Sequence, residues 1–592
     1  MSASADPAEP TRKTREVARS LPGRIARTAV HLPLLTSAVA RMIVEDPAHF
    51  AVQTSRRLPR RLRDALGSGP APRREGSTPR ALWLMMVDRP GIAKEELSAS
   101  MTRGPLADAI RVQVGAPLDE SASARNRAKE LWEAGDIDEA IGLAPAPLRR
   151  VFEARTRVLT PGRTLTLPLM CPDIHPRSRI RVLHALTNSL PWTNSGYALR
   201  SHAVLIAQRD VGLDVLAVTR LAYPITIGRP WTPTRDVING IDYRRLLPRA
   251  LPRYEDDRLA VHAKMLVEEA RAFAPHVLHT TTDFHNALVT RAVAQALDIP
   301  WVYEFRGELE KSWVARRPHD QEERALASQR YAMMRARETE MALAADAVVA
   351  LSHHQARSLV ERGIPEDTIS VIPNAVDEAL LDTPRDREAA RTALGLRPDK
   401  PWVGTVSAIV DYEGLDTLID ALAEVRGRGM DVGCLIVGDG VSRESLIQQA
   451  RERGLHVAVG LSDPDADVVF PGKVSPDEAL TWYQALDIMT IPRRDTPVTR
   501  AVTPIKGLQA MALGIPQIVS DLPALVEVGA RDGQGIAIAP GDSHALAGAI
   551  TRVLADSDLA ERLADAGRCA AAERTWAANG RAYERLYRSL LD

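Results

Sequence analysis

Val502-Thr-Pro-Ile-Lys-Gly-Leu-Gln-Ala-Met-Ala-Leu-Gly-Ile-Pro-Gln-Ile-Val-Ser-Asp521 reads as a loop, a short amphipathic helix, a glycine stop at Gly514 and a buried strand. The helix follows from apolar residues spaced three and four apart, and its end from a glycine just past the last periodic position. A helix that delivers the chain straight into a β-branched run is one segment of a parallel-sheet architecture.

Working outward, the same alternation fills the chain from Arg179 onward. Short β-branched runs alternate with helical segments of roughly 10 to 20 residues, the βαβ signature of a parallel sheet. A first series comprises Arg181-Val-Leu-His-Ala-Leu186, His276-Val-Leu-His279, Trp301-Val-Tyr-Glu-Phe305 and Ala347-Val-Val-Ala-Leu351. A second comprises Trp402-Val-Gly-Thr-Val406, Cys434-Leu-Ile-Val437, Ile488-Met-Thr-Ile491 and Gln517-Ile-Val-Ser520. Between them lie Ile372-Pro-Asn-Ala-Val376 and a polar, proline-containing link at Asp382 to Arg387, near which a second Rossmann-like domain is expected to begin. The fold class is α/β.

At 592 residues, 45% of them apolar, the chain exceeds what one core holds, and three domains are expected. Its formal net charge of zero excludes a bulk nucleic-acid binder. Cys171, Cys434 and Cys569 lie too far apart in sequence for a disulfide framework or metal cluster, which fits a reducing cytoplasm. The N-terminus lacks the order of a secretion signal, and the longest apolar candidate, Ile25 to Val44, is broken by Arg27, His31, Pro33 and Arg41.

Residues 1 to about 175 are rich in Arg, Pro and Ala, with a break at Gly67-Ser-Gly-Pro-Ala-Pro72 and no alternating strand pattern. Ala122 to Leu143 is helical in pattern and resembles half of a helical-repeat hairpin, but no second copy follows. Through Arg80 basic residues are about twice as numerous as acidic ones, including Arg56-Arg57 and Arg60-Arg61-Leu-Arg63. Such a segment is suited to the anionic inner face of a membrane. A solvated face and a contact to a partner enzyme are the alternatives.

Four ordered segments, Leu435-Ile-Val-Gly-Asp-Gly440, Val468-Val-Phe-Pro-Gly-Lys-Val474, Ala485-Leu-Asp-Ile-Met-Thr-Ile-Pro492 and the opening stretch, resemble the donor half of retaining glycosyltransferases of family 4. Pro-Arg-Arg at 492–494 with Thr-Pro-Ile-Lys at 503–506 resembles a subgroup tied to surface-polysaccharide synthesis. The resemblance implies the GT-B architecture, two Rossmann-like domains facing a cleft, here with a mainly helical N-terminal extension. The expected boundaries are 1–175 for the extension, 176–380 for an acceptor domain, 381–558 for a nucleotide-sugar donor domain, and 559–592 for a helical tail that crosses back. Trp576, Tyr583, Tyr587 and Leu590 are the tail's expected apolar anchors.

That family carries two glutamates eight positions apart in the opening stretch; here the positions hold Ala501 and Gln509. Its phosphate-binding lysine stands just before the glycine that Gly414 matches, where this chain has Glu413. A carboxylate there cannot stabilise a departing diphosphate, so Lys506, Arg493 and Arg494 are the candidate replacements; their alternative reading is solvated surface charge. The resemblance further implies donor contacts from Gly196, Ser407, Gly438, Gly440, Lys473, Val474, Thr503, Pro504, Ile505 and Gln509. Gly438-Asp-Gly440 is equally readable as an ordinary turn.

In the first half, Leu190-Pro-Trp-Thr-Asn-Ser-Gly196 occupies the place of the family's cleft-lining glycine loop. Arg306 stands where many members have histidine and could fork onto phosphate. His279 and His285 are candidate cleft imidazoles, with satisfied structural histidines as the alternative. Asp463-Pro-Asp-Ala-Asp467 reads as solvated surface and not as a metal site. The expected activity is transfer of a sugar from a nucleotide-diphosphate sugar to a glycan or lipid-linked acceptor, without a metal or other cofactor. A non-catalytic sugar-nucleotide binder and another GT-B chemistry, such as epimerisation or phosphorolysis, are the alternatives.

Overall fold

The structure is a computed structural model of the chain and describes residues 21–46, 50–52, 54, 72, 74–87, 89–170, 179–317, 319–460, 463, 465–501 and 503–592. The Gly67 to Ala71 break, the Arg56 to Arg63 cluster, Cys171 and Val502 lie outside the described residues.

Two sheets organise the molecule. The first contains β1 (Arg181–Leu186), β2 (Asp214–Thr219), β3 (Arg235–Ile238), β4 (Ile241–Arg245), β5 (Val277–Thr281), β6 (Trp301–Glu304), β7 (Ala347–Ala350) and β8 (Ile369–Val371). Its order is β3-β4-β2-β1-β5-β6-β7-β8, with β3 antiparallel to β4 at the edge. The second contains β9 (Trp402–Val406), β10 (Gly433–Val437), β11 (Val457–Val459), β12 (Val468–Gly472), β13 (Ile488–Ile491), β14 (Gln517–Ser520) and β15 (Gly535–Ile538). It is parallel throughout, in the order β11-β12-β10-β9-β13-β14-β15.

Parallel strands need crossover helices, which cover both faces and demand apolar residues on both. β10 accordingly has every residue buried. Val403, Cys434, Ile436, Phe470 and Ile518 point to one face, under the helices Leu415–Gly427 and Ser543–Ala555. Trp402, Leu435, Val437, Val469, Met489 and Val519 point to the other, against Trp482, Leu513 and Leu525.

Contacts group the chain into two compact units: residues 1–202, 215–301 and 317–344 form one, and 203–214, 302–316 and 345–592 the other. In the first unit the N-terminal region is helical as expected. Ala124–Ala134 and Ile137–Leu143 form a hairpin turned at Gly135, and Ala146–Leu159 closes it by stacking Phe152 on Trp132 with ring centroids 4.3 Å apart. Among the described residues no helix is long and apolar enough to cross a membrane.

In the second unit the tail forms two helices, Ser557–Ala572 and Trp576–Ser589. Tyr583 and Tyr587 are fully buried. Gln208 donates to the Tyr587 hydroxyl at 2.9 Å, and Asn579 donates to the Pro373 carbonyl at 2.8 Å. Trp576 and Leu590, expected as equal anchors, are only half-buried.

Candidate active site

In the second sheet the strand order reverses between β9 and β13. Loops leaving the carboxyl ends of such a pair diverge to opposite faces, leaving a crevice in which ligands of open α/β sheets bind. β9 leads into the tight turn Asp411–Glu413, and β13 leads through Pro492 to Arg493. The loop at 503–504 then opens the helix Ile505–Ala512.

These loops bring three charges together. Arg493 donates twice to Glu413, Nη2 to Oε1 at 2.9 Å and Nε to Oε2 at 3.2 Å, and the Lys506 ammonium bonds to the same carboxylate. All three are buried, with Lys506 the least so at 9% exposure. Burial would raise the Glu413 carboxyl, yet Lys506 and Arg493 hold it down to about 2. Burial lowers the Lys506 ammonium to about 8, with Glu413 opposing the fall. Two cations and one carboxylate leave one net positive charge at the start of a helix whose first N–H groups carry a further partial positive charge.

Of the three candidate cations, the structure sets Arg494 apart. Arg494 turns outward, 43% exposed, and bonds to Asp416 at 2.7 Å and the Asp411 carbonyl at 3.2 Å. Glu413, read only as an obstacle, is the common counter-ion that holds Lys506 and Arg493 in place. Its turn depends on Gly414 at φ +66°, where a Cβ would lie 2.0 Å from the Pro492 carbonyl oxygen. The two strand-end loops are therefore packed backbone to backbone.

Thr503 and Pro504 are buried and Ile505 is half-buried. Asn374 donates to the Thr503 carbonyl at 2.8 Å, and the Thr503 hydroxyl is buried without a hydrogen-bond partner among the described residues. Gln509 accepts the Tyr483 hydroxyl at 3.0 Å while staying partly exposed. Gln509→Glu is expected to keep donor affinity within tenfold, about 1.4 kcal/mol, since a carboxylate also accepts that hydroxyl; calorimetry with a responsive nucleotide checks it.

Several expectations need correction. Gly438, at φ +143°, and Gly440 are demanded by the protein itself, because Cβ atoms there would lie 1.8 and 2.1 Å from the Ser407 and Ile409 carbonyl oxygens. The Gly-Asp-Gly turn thus packs closely on the 407–409 backbone, with Ser407 half-exposed beside it. Lys473 is exposed and Val474 half-buried, ahead of the capping box that Ser475 and Glu478 form as expected.

His279 lies in the middle of β5, fully buried and stacked on His184 at 4.6 Å, and not at a strand end. It is a packing residue. His285 is fixed by Asp283 and Glu255, each at 2.9 Å, and although burial opposes its charge the two carboxylates raise it to about 10. Such an imidazolium is a structural link and not a base. The Arg306 fork is taken by Glu304 at 3.0 and 3.2 Å, both residues buried. Gly196 opens the helix Gly196–Asp210, with free space where a Cβ would stand. Asp467, read as solvated, is buried and pairs with Arg426 at 2.6 Å.

Glu527 was not foreseen. Its carboxylate accepts from the backbone N–H groups of His353 at 2.7 Å and His354 at 2.9 Å, closing the start of the helix His353–Glu361. The Ser352-His-His-Gln start was legible; a partner 174 residues away was not.

The geometry defines a doubly wound domain with a buried cluster of two cations and one carboxylate at its switch point. The family described as "Glycosyl transferases group 1" matches residues 386–569, and "Glycosyl transferase 4-like domain" matches 195–375. The chain belongs to the family 4 glycosyltransferases of GT-B fold. It is 31% identical to a D-inositol 3-phosphate glycosyltransferase of Nocardia farcinica, over 39% of this chain and 50% of that protein. It is 29% identical to the lipopolysaccharide core biosynthesis mannosyltransferase LpsB of Rhizobium meliloti, over 36% and 56%. The chain spans about half the length of the curated relatives it matches. In fold it is similar to a sucrose-phosphate synthase of Thermosynechococcus elongatus (TM-score 0.55, 20% identity, 70% of this chain and 99% of that one). It is also similar in fold to Anabaena HepE in complex with UDP (TM-score 0.52, 18% identity, 69% and 100%).

Proposed function

We propose that the chain moves a sugar from a nucleoside-diphosphate sugar to a hydroxyl of a glycan or lipid-linked acceptor, retaining the anomeric configuration. The observation that carries this reading is the Lys506–Glu413–Arg493 triad at the opening of the helix Ile505–Ala512. A leaving diphosphate develops charge as the glycosidic bond breaks, and prepositioned cations with helix N–H groups act where that charge appears. Relatives named as mannosyl- and glycosyltransferases, and a fold neighbour holding UDP, support the same reading. In this reading residues 176–380 receive the acceptor, 381–558 hold the donor, and Lys506 and Arg493 supply the charge that a metal would otherwise bring. A thermal-shift screen of nucleoside diphosphates and their sugars tests it, followed by donor hydrolysis assayed with and without chelator. Failure of every nucleotide to stabilise the protein would overturn it.

We further infer peripheral contact with the inner face of the membrane, with the enzyme in the cytoplasm. Ile25 and Val30 are exposed on the helix Leu21–Val30, and Leu32 and Ile43 on the helix Leu32–Glu45, the last two three turns apart on one face, with Arg24 exposed beside Ile25. Ile25→Glu with Leu32→Glu is expected to abolish flotation of the full chain with anionic liposomes, and binding by the unaltered chain should weaken as salt rises. Salt-insensitive binding unchanged by these substitutions would sink the inference.

A further inference from the structure

A cavity of about 510 Å³ lies within the second unit, between the helix Leu309–Val314, the helix His353–Glu361 and the segment 495–500 that runs into the 503–506 loop. Its walls carry Lys311, Arg357 and Arg500 against Glu361 and Asp495, a lining excess of one positive charge. The cations are not equivalent. Asp495 grips Arg500 through two bonds of 2.5 and 2.6 Å, and Lys311 bonds to Glu308 at 2.8 Å. Arg357 is exposed and forms no ion pair or hydrogen bond with any described residue. Ser358, one residue on, and Thr496 add hydroxyl groups to the wall. Burial, then Arg357 and Lys311, lower the proton affinity of His354, against the opposing charges of Glu527 and Glu361.

An uncommitted guanidinium in an open cavity, with an ammonium and hydroxyl groups around it, has the donor set that recognises a phosphate, and the three cations of the lining outnumber its two carboxylates, Glu361 and Asp495. The strand-end triad lies along the same loop. We propose that this cavity seats a phosphate group carried by the acceptor, with Arg357 as its principal counter-charge and Lys311 as its second. The proposal rests on the glycosyltransferase reading and adds the acceptor's chemical class. A soluble sugar phosphate and the phosphate of a lipid-linked acceptor share this chemistry.

The test uses the full chain saturated with whichever nucleoside diphosphate stabilises it, so that the donor site is filled. Glucose 6-phosphate, glucose, and vesicles with or without a polyprenyl phosphate are then titrated separately. Glucose 6-phosphate is expected to bind at least tenfold more tightly than glucose if the acceptor is soluble. Binding confined to vesicles containing the polyprenyl phosphate assigns the phosphate to a lipid. In either case Arg357→Gln and, separately, Lys311→Gln should weaken the phosphate ligand at least tenfold while nucleotide affinity holds. Equal binding of phosphorylated and neutral probes, or phosphate binding indifferent to both substitutions, would overturn the proposal. Absence of nucleotide binding at the first step would instead strike the glycosyltransferase reading.

Discussion

Replacing Lys506 with Met is expected to lower turnover roughly a hundredfold, about 2.7 kcal/mol of transition-state stabilisation. The substitution preserves the aliphatic stem, which is buried, and removes one of the two cations on Glu413. With Arg493 alone left, the triad becomes neutral where a diphosphate must depart. The helix terminus then supplies only about half a unit of positive charge. Stability should fall as well, by about 1 to 3 kcal/mol, because Glu413 stays buried with one partner instead of two. The double variant Lys506→Met with Glu413→Gln separates the effects: it restores one net positive charge, carried by Arg493, but leaves that buried guanidinium without its counter-ion, so turnover should recover in part while stability stays low. Single-turnover kinetics with a nucleotide donor, alongside thermal melts, provide both readouts. Near-normal turnover in Lys506→Met would place the charge outside the reaction centre.

Glu413→Gln alone should change the pH profile more than the rate at its optimum. Lys506 must be protonated to act, so activity is retained below its pKa and lost as pH rises through it, which in the intact triad is about 8. Glu413 opposes the lowering of that pKa, whereas burial and the Arg493 charge promote it. With the carboxylate gone only the lowering influences remain, and the alkaline limb should move to more acid pH. A shift of one unit makes the variant about tenfold slower than the parent on the alkaline side, with little difference near pH 6. The mid-point of the alkaline limb in kcat/KM is the measurement, since it reports groups of the free enzyme. An unmoved limb would show that Lys506 titrates independently of Glu413.

The sequence by itself determined the alternation of strands and helices. A strand buried on both faces must be apolar on both sides, and that demand is written locally in runs such as Cys434-Leu-Ile-Val437 and Ile488-Met-Thr-Ile491. The capping box at Ser475 and the glycine after the helix Ile505–Ala512 were legible for the same reason, since each is satisfied within a few residues. The edge hairpin β3–β4 was not, because Arg235-Asp-Val-Ile and Ile241-Asp-Tyr-Arg-Arg are polar and lack the buried-strand pattern. Its charges are matched across the pair, Arg235 to Asp242 at 2.8 Å, and by a helix elsewhere in the fold, Arg244 to Glu269 at 2.6 Å.

Tertiary structure decided which charges do what. Lys506 and Arg493 were candidates by position, but their selection over Arg494 depends on a carboxylate 93 and 80 residues away. The same holds for His279, whose stacking partner His184 lies on the neighbouring strand β1. Hydrophobic periodicity is a property of neighbours along the chain and survives in one dimension. A charge acquires its role from whichever group the fold brings within a few ångströms, and burial multiplies that choice by removing the water that would otherwise screen it.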